Sequence, residues 1–421
     1  MLQLVAVVVV FAVVIVLVSR KWPMGYAMGL GAALLALAAG IGPGGLFASI
    51  RQTVSTLDTY ELAATVALIS LMARLMREFG LLEQMTQSLV ALLRNVKLAL
   101  ALVPGLLGCL PVFGGAIMSA PMVDALGDQL GLDGTRKAAV NLVFRHAWFF
   151  LFPFMPSLIL AAKLGGVSVG SVVRIQFPLT VVALVSGYVY LFRGIARPVK
   201  PSQSGASESL TAEVAATAAP EATGPALTRF LVSAAPLLTS IILSVAFGLR
   251  LVFALTVAVV LTILLGARHP KCRPATIWRA IDWMLVLTMF SIMLFKGVLD
   301  RAGFVRSLVA SLAANGVPPI VLFIGLPLLT GFTSGAQQAS LSISLPLLLP
   351  LAGANVPGAV AVIYAASFLG YFLSPLHLCL VLTAQFFKAK MAAVYRKSAP
   401  VVAVVAAGLL ALVALTGAGL R

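Results

Sequence analysis

Long apolar runs recur along the whole chain, and they limit what it can fold into. The first, residues 2–18, approaches the roughly 20 residues that an α-helix needs to cross a bilayer. Hydrophobic residues make up 61% of the chain and charged residues 10%, whereas soluble domains average roughly 45–50% and about 25%. Because lipid cannot hydrogen-bond an unpaired backbone, these runs predict an all-α polytopic membrane protein.

Hydropathy divides the chain into two halves, residues 1–197 and 228–421, with the same order of segments. In the first half the predicted spans are residues 2–18, 24–40, 60–76, 139–164 and 171–192. In the second half they are residues 229–247, 251–266, 283–299, 359–387 and 398–415. Between the halves, residues 198–227 are rich in Pro, Ser, Ala, Thr and Glu, which predicts a disordered cytoplasmic linker.

A hairpin-like segment lies between the third and fourth span of each half, at about residues 97–129 and 317–351. If both segments are re-entrant, each half has five transmembrane helices, and this odd number makes the halves two inverted repeats. Both termini then lie outside, and most lysines and arginines fall on the cytoplasmic side, as the positive-inside rule requires. The net charge of +17 therefore reflects topology and does not indicate a nucleic-acid partner.

The two hairpin segments carry matching Gly- and Ser-containing motifs, at residues 113–120 and 333–340. Matched interruptions in the two halves of a membrane protein point to a transporter's binding site, because the ends of half-helices offer free N–H and C=O groups to ions. Prolines also break the fourth span of each half at corresponding positions. The candidate substrate- and ion-binding residues are Gly114, Gly115, Ala116, Ser119, Pro153, Pro156, Thr333, Ser334, Gly335, Gln337, Gln338, Ser374, Pro375 and His377.

Other readings of these residues remain open. Small residues also allow helices to pack closely, and kinks occur in membrane helices that bind nothing. His377 could relay protons, whereas we place His146 near the cytoplasmic interface. We expect a side chain added at Gly335 to block the approach of a ligand while disturbing folding little.

The acidic residues indicate the charge of the substrate. All twelve Asp and Glu lie at span ends, in loops or in the linker, and Asp124 is the deepest. Without the buried carboxylate pair of a cation antiporter, an anionic substrate is favoured. No enzyme motif appears, and Cys109, Cys272 and Cys379 lack metal-ligand spacing. We therefore expect no catalytic residue, no metal site and no cofactor, apart from a sodium ion if sodium rather than protons drives transport.

Two stretches, residues 110–121 (LPVFGGAIMSAP) and 141–149 (NLVFRHAWF), resemble an uncharacterised prokaryotic family of integral membrane proteins. That family is grouped with the ion transporter superfamily, alongside gluconate permeases, divalent-anion/sodium symporters and arsenite permeases. The resemblance implies two inverted repeats, re-entrant hairpins, an elevator-type transporter fold and a homodimer. The hairpin tips lack the Ser-Asn-Thr of the divalent-anion symporters, so that sodium site and dicarboxylate specificity are not implied here.

The sequence therefore predicts a secondary active transporter for a small organic anion in the inner membrane, driven by sodium or protons. Its partners are then the anionic substrate, membrane lipid and a second copy of the chain. One alternative is a cation or metalloid efflux transporter. Another is a non-transporting, lipid-handling membrane protein.

Overall fold

The computed structural model describes residues 2–93, 95–108, 115–195, 223–302 and 318–417, and within these ranges the regular structure is helical. Each predicted apolar span of the first half forms a helix or a broken pair of helices. The helices of this half are α1 (Leu2–Ser19), α2 (Met24–Ala38), α3 (Pro43–Ser55), α4 (Leu57–Glu78), α5 (Leu81–Leu92), α6 (Val96–Gly108), α7 (Gly115–Asp128), α8 (Gly134–His146), α9 (Pro156–Gly165) and α10 (Val169–Leu191).

The second half repeats this order. Its helices are α11 (Thr223–Ile241), α12 (Leu251–Leu265), α13 (Pro274–Ala280), α14 (Trp283–Arg301), α15 (Pro319–Ser334), α16 (Gln337–Leu348), α17 (Val356–Leu373), α18 (Leu378–Phe386) and α19 (Met391–Thr416). Short 3₁₀ turns follow α8 and α16, and a π-helical turn follows α11.

Several predicted boundaries differ from the structure. Helices α3 and α13 are absent from the hydropathy assignment, because both are too short and too polar to resemble a span. Residues 223–227, assigned to the linker by composition, form the start of α11. The rest of that linker, residues 198–222, lies outside the described residues, as do the first tip, residues 109–114, and residues 304–315.

The predicted breaks are present in both halves. In the first half, residues 151–155 separate α8 from α9, which begins at Pro156; we call these residues the first break. In the second half, residues 374–377 separate α17 from α18; we call them the second break. The second hairpin turns at the second tip, residues 334–337, where Gly335 has a φ of +62° and ends α15 in the left-handed conformation that favours glycine.

The helices pack as two groups. The leading group is formed by the first helices of each half, α1–α5 and α11–α14, with close packing of α2 on α14, of α4 on α12 and of α5 on α11. The hairpin group contains the hairpins, the broken segments and the last helix of each half, α6–α10 and α15–α19. The two groups meet where α5 packs on α6, α1 on α15, and α4 on α9.

Contacts within the hairpin group mirror each other between the halves. The second hairpin arm of each half packs on the distal part of the other half's broken segment, so that α7 contacts α18 and α16 contacts α9. Likewise, α8 packs on α19 while α17 packs on α10. These reciprocal contacts bring the described hairpin arms and both breaks into one buried region.

The closest helix pairing in this region is α15 on α17, and glycines allow it. A Cβ on Gly331 would lie 2.6 Å from the carbonyl oxygen of Ser367, and a Cβ on Gly370 would overlap the carbonyl oxygen of Leu328. Small residues of this kind let membrane helices approach backbone to backbone. The first hairpin arm of the second half is thereby held directly against the broken segment.

Six helical segments within the described ranges are long and apolar enough to cross a membrane, by length and composition. Shorter apolar helices such as α2, α6, α12 and α15 accompany them. Many large apolar side chains of the peripheral helices are exposed, including Leu37, Phe253 and Leu415. A surface of exposed apolar side chains suits lipid, and the fold is that of a multi-pass membrane protein.

Candidate functional site

The second tip is packed tightly against the second break. A Cβ on Gly335 would lie 2.7 Å from Cβ of Leu376 and 2.9 Å from its carbonyl carbon. Ser374 is buried, and its hydroxyl accepts a hydrogen bond of 3.2 Å from the N–H of Leu376, while Pro375 is exposed. The expectation that Gly335 borders open space is therefore wrong, because its α-carbon faces the backbone of the break.

Most of the hydroxyls at the second tip bond to their own helix. Thr333 donates to the carbonyl oxygen of Leu329 at 2.8 Å, and Ser334 donates to that of Thr330 at 2.6 Å. The Ser334 hydroxyl also accepts a hydrogen bond from the N–H of Ala336 at 3.3 Å. These two hydroxyls therefore stabilise the turn and are not free donors.

Gln337 differs from its neighbours because its buried side chain has unused hydrogen-bonding capacity. It begins α16, and neither its amide oxygen nor its amide nitrogen has a hydrogen-bond partner among the described residues. Gln338, next along the chain, is only partly buried, and its carbonyl accepts from Ser342. Since buried polar groups in proteins are nearly always paired, a free buried amide indicates a place for a ligand or water.

Tyr364 of α17 lies at the first break. Its hydroxyl donates to the carbonyl oxygen of Phe149 at 2.9 Å and lies 3.2 Å from the hydroxyl of Ser157. Ser157 follows Pro156 at the start of α9. The second half is thus joined through one buried tyrosine to the break of the first half.

In the first half, Asn141 of α8 joins the second hairpin arm, α7, to α18. Its side-chain N–H donates to the carbonyl oxygen of Ala116 at 3.1 Å and to the hydroxyl of Thr383 at 3.3 Å. Its amide oxygen accepts from Ser119 at 2.6 Å. Ala116 and Ser119 are in the first turns of α7, which begins at Gly115, and Thr383 is on α18. Gly114 lies outside the described residues.

Two histidines meet between the halves. His146 and His377 are both fully buried, and their Nε2 atoms are 3.1 Å apart. The Nδ1 of His146 is 2.7 Å from the carbonyl oxygen of Leu142, and the hydroxyl of Tyr371 is 3.4 Å from its Nε2. His146 is therefore enclosed by protein, and His377 lies at the second break as the sequence indicates.

Arg145 is a candidate site residue that the sequence reasoning missed. Its side chain is only 5% exposed, and its Nε and Nη1 have no hydrogen-bond partner in the described part of the chain. No ion pair among the described residues includes it. A buried charge normally has a partner, so an unpaired guanidinium is costly unless something else binds it. Its only sequence signal is a basic residue inside an otherwise apolar stretch.

Arg145 lies against the end of the first hairpin arm. A Cβ on Gly108, the last residue of α6, would be 2.7 Å from Cγ and from the carbonyl oxygen of Arg145. One turn earlier, Gly105 lies against the indole of Trp148, whose Nε1 is also buried without a partner. Both donors are therefore held beside the point where the chain leaves α6 for the first tip.

The carboxylates lie away from these groups. Lys137 pairs with Asp124 at 2.5 Å and with Asp128 at 2.7 Å, which joins α7 to α8. Burial acts to lower the pKa of Lys137, but the hydrogen bonds to these two carboxylates outweigh it, and the pKa is raised. Lys163 of α9 pairs with Asp58 of α4 at 2.8 Å, between the two helix groups. No ion pair among the described residues joins a carboxylate to Arg145.

Three residues could present donor atoms to a metal ion. The ligand atoms of His146, His377 and Cys379 lie within 4.8 Å of one another. The spacing of these residues in the sequence does not indicate such a cluster, because His146 is far along the chain from the other two. The positive guanidinium of Arg145, next to His146, opposes a divalent cation here.

The fold and this buried polar site define a multi-pass helical membrane protein with unpaired donors at the junction of its two halves. The chain belongs to the family described as "Protein of unknown function (DUF401)", whose model matches residues 3–211 and 224–416. The gap between the matched stretches falls within the predicted linker. A comparison with curated proteins found no match.

Proposed function

We propose that this protein is a secondary active transporter that moves a small organic anion across the inner membrane by alternating access. Arg145 carries the proposal, because a buried guanidinium without a protein partner is complementary to an anion. Membership in the ion transporter superfamily is part of this proposal, as are the two inverted repeats.

The anion would bind to donors that have no partner among the described residues. Arg145 and Trp148 supply N–H groups next to the end of α6, and Gln337 at the second tip is a further candidate donor. A carboxylate has two acceptor oxygens that match the guanidinium fork, which also favours an organic acid over a halide. Of the residues predicted from the sequence, Gln337, Ser374 and His377 remain candidate contacts to the anion. The hydroxyls of Thr333 and Ser334 instead donate to carbonyl oxygens of their own helix.

The two helix groups suggest how the site changes access. We propose that the hairpin group moves as a body past the leading group, in the manner of an elevator. The ion pair between Lys163 and Asp58 is one of the contacts that this movement would break. A homodimer formed through the leading groups, with both termini outside the cytoplasm, completes the proposal.

The alternatives make different demands on the site. A cation or metalloid efflux transporter needs a negative or thiolate-rich site, and the unpaired Arg145 opposes a cation. A lipid-handling protein would need a large cavity that opens to the bilayer. The described cavity beside His146 has a volume of only about 20 Å³ and is lined mainly by apolar side chains such as Phe368 and Val401.

Ligand-dependent thermal stability of the purified protein tests the proposal. Lactate, gluconate, succinate and citrate are screened in sodium and in potassium buffers, with choline and arsenite as probes of the alternatives. Because a ligand stabilises the state that binds it, one or more carboxylates should raise the melting temperature. Arg145→Met should lose the effect, whereas Arg174→Gln, a change at an exposed arginine on α10, should keep it. Stabilisation by choline or arsenite alone would contradict an anion site.

Uptake into proteoliposomes then tests transport. The carboxylate that stabilises the protein should accumulate under a sodium or a proton gradient. Wild-type protein that binds this anion but shows no uptake under either gradient would make it a binding protein and not a transporter.

A further inference from the structure

The hydrogen bonds around the two buried histidines assign their protons. His146 Nδ1 can only donate to the carbonyl oxygen of Leu142, 2.7 Å away, so its Nε2 holds the lone pair when the ring is neutral. The Nε2 of His377, 3.1 Å away, must then donate to it. This leaves Nδ1 of His377 as a lone pair, and that atom is buried without a hydrogen-bond partner.

This unpartnered atom is a ready acceptor for one proton. The backbone carbonyl of Phe372 lies within hydrogen-bonding range of the His377 ring. A proton added at Nδ1 would turn it into a donor for that carbonyl, and each of the four ring nitrogens in the pair would then take part in a hydrogen bond. The neutral pair leaves one nitrogen unsatisfied, whereas the pair with a single added proton leaves none.

The surroundings of the pair explain when it can hold that proton. The titratable or charged groups that face it are Arg145 on α8, Tyr371 on α17 and Cys379 on α18. The facing parts of α10 and α19 contribute apolar side chains, including Ala183, Val401 and Val405. Burial of both rings penalises an added positive charge, and the charge of the neighbouring Arg145 repels it as well. No ion pair among the described residues offsets the charge of Arg145. An anion bound to Arg145 would offset it.

We infer that the His146–His377 pair is the proton-binding site that couples this transporter to the proton gradient. The inference rests on the proposed function and deepens it, because it selects protons over sodium. One anion bound at Arg145 and one proton bound at the pair cross together, and the proton leaves when the anion leaves. Since linkage is reciprocal, each ligand increases the affinity for the other by the same factor.

The first experiment needs no substrate. The chain has only three histidines, so specific isotope labelling of histidine gives an NMR spectrum in which the pair and His269 can be followed through a pH titration in detergent. The pair should take up one proton as a coupled unit. In Arg145→Gln, which removes the opposing charge, the midpoint of that uptake should rise by about one pH unit. The His269 signal reports on the fold in both proteins.

Two outcomes of the titration would overturn the inference. One is a midpoint that Arg145→Gln leaves unchanged, because the pair would then not sense charge at the anion site. The other is a pair that stays neutral in both proteins down to the pH at which the His269 signal reports unfolding.

The second experiment measures the affinity for gluconate as a function of pH. Between the protonation midpoints of the free and the bound protein, affinity should fall tenfold for each unit of rising pH, because one proton is taken up with the anion. The double variant His146→Gln/His377→Gln, which has no protonatable ring in the pair, should bind with affinity independent of pH. His269→Gln, a change in the loop after α12, should retain the wild-type slope.

The outcomes separate this inference from the proposed function. If gluconate binds but its affinity is independent of pH, or requires sodium or an added metal ion, the coupling site is wrong and the anion transporter stands. If neither gluconate nor the other carboxylates bind, the proposed function loses its support. The titration of Arg145→Gln then still decides whether the pair senses charge at that position.

Discussion

Replacing Arg145 with methionine should abolish anion binding and at the same time stabilise the protein. Methionine keeps an unbranched stem that can pack on Gly108, where Cγ of Arg145 lies, but it removes the guanidinium. The wild-type protein keeps that charge buried with two of its nitrogens unpaired. If a residue binds the ligand at a cost in stability, its replacement is expected to weaken ligand binding and to stabilise the folded protein.

The size of the stabilisation follows from the cost of burying the charge. Effective desolvation penalties for buried ions are several kcal/mol, and exchange of buried charged groups for apolar side chains has stabilised proteins by about 1–4 kcal/mol. We expect Arg145→Met to fall in that range, because no ion pair is lost with the charge. The assay is the unfolding free energy of the ligand-free protein in mixed micelles, together with its thermal midpoint.

Lys137→Met is the matched control on the same helix. It also replaces a buried cation by methionine, but Lys137 has carboxylate partners at 2.5 and 2.7 Å. Its loss should destabilise the protein by about 1–3 kcal/mol, since the hydrogen bonds are charge-assisted while Asp124 and Asp128 stay partly exposed to solvent. If Arg145→Met destabilises the protein as much as Lys137→Met does, Arg145 has a structural partner and the reasoning for an anion site fails.

Gly335→Ala should destabilise the protein by more than Gly353→Ala; both positions have positive φ, but only Gly335 has a neighbour, Leu376, within 2.7 Å of the added Cβ. Equal losses of about 1–3 kcal/mol in both variants would mean that the second tip is not packed on the break. Tyr364→Phe should lower the unfolding free energy by about 1–3 kcal/mol by leaving a buried carbonyl unpaired, and a neutral result would argue against the link between the halves. Lys163→Met removes ion pairs between the two helix groups and should change the rate of uptake while leaving the dissociation constant of the anion unchanged. A change confined to the dissociation constant would place Lys163 in the binding site instead.

The apolar spans and their interruptions could be predicted from the sequence alone. Bilayer-length runs form helices because the backbone has no other way to pair in lipid, and Pro156, Pro375 and Gly335 interrupt them for local reasons. Helices α3 and α13 could not be predicted in this way. They are short and polar, so their hydropathy does not distinguish them from loops.

What the tertiary structure decided is which polar groups are paired. The sequence selected Thr333, Ser334 and Gln337 alike, but the first two bond to their own helix, and only the third is left with a free amide. The burial of His146 and Arg145 could not be predicted either. Both are buried because α8 is enclosed by helices from both halves. Burial and pairing depend on contacts between residues more than two hundred positions apart, such as His146 with His377, and no local pattern encodes them.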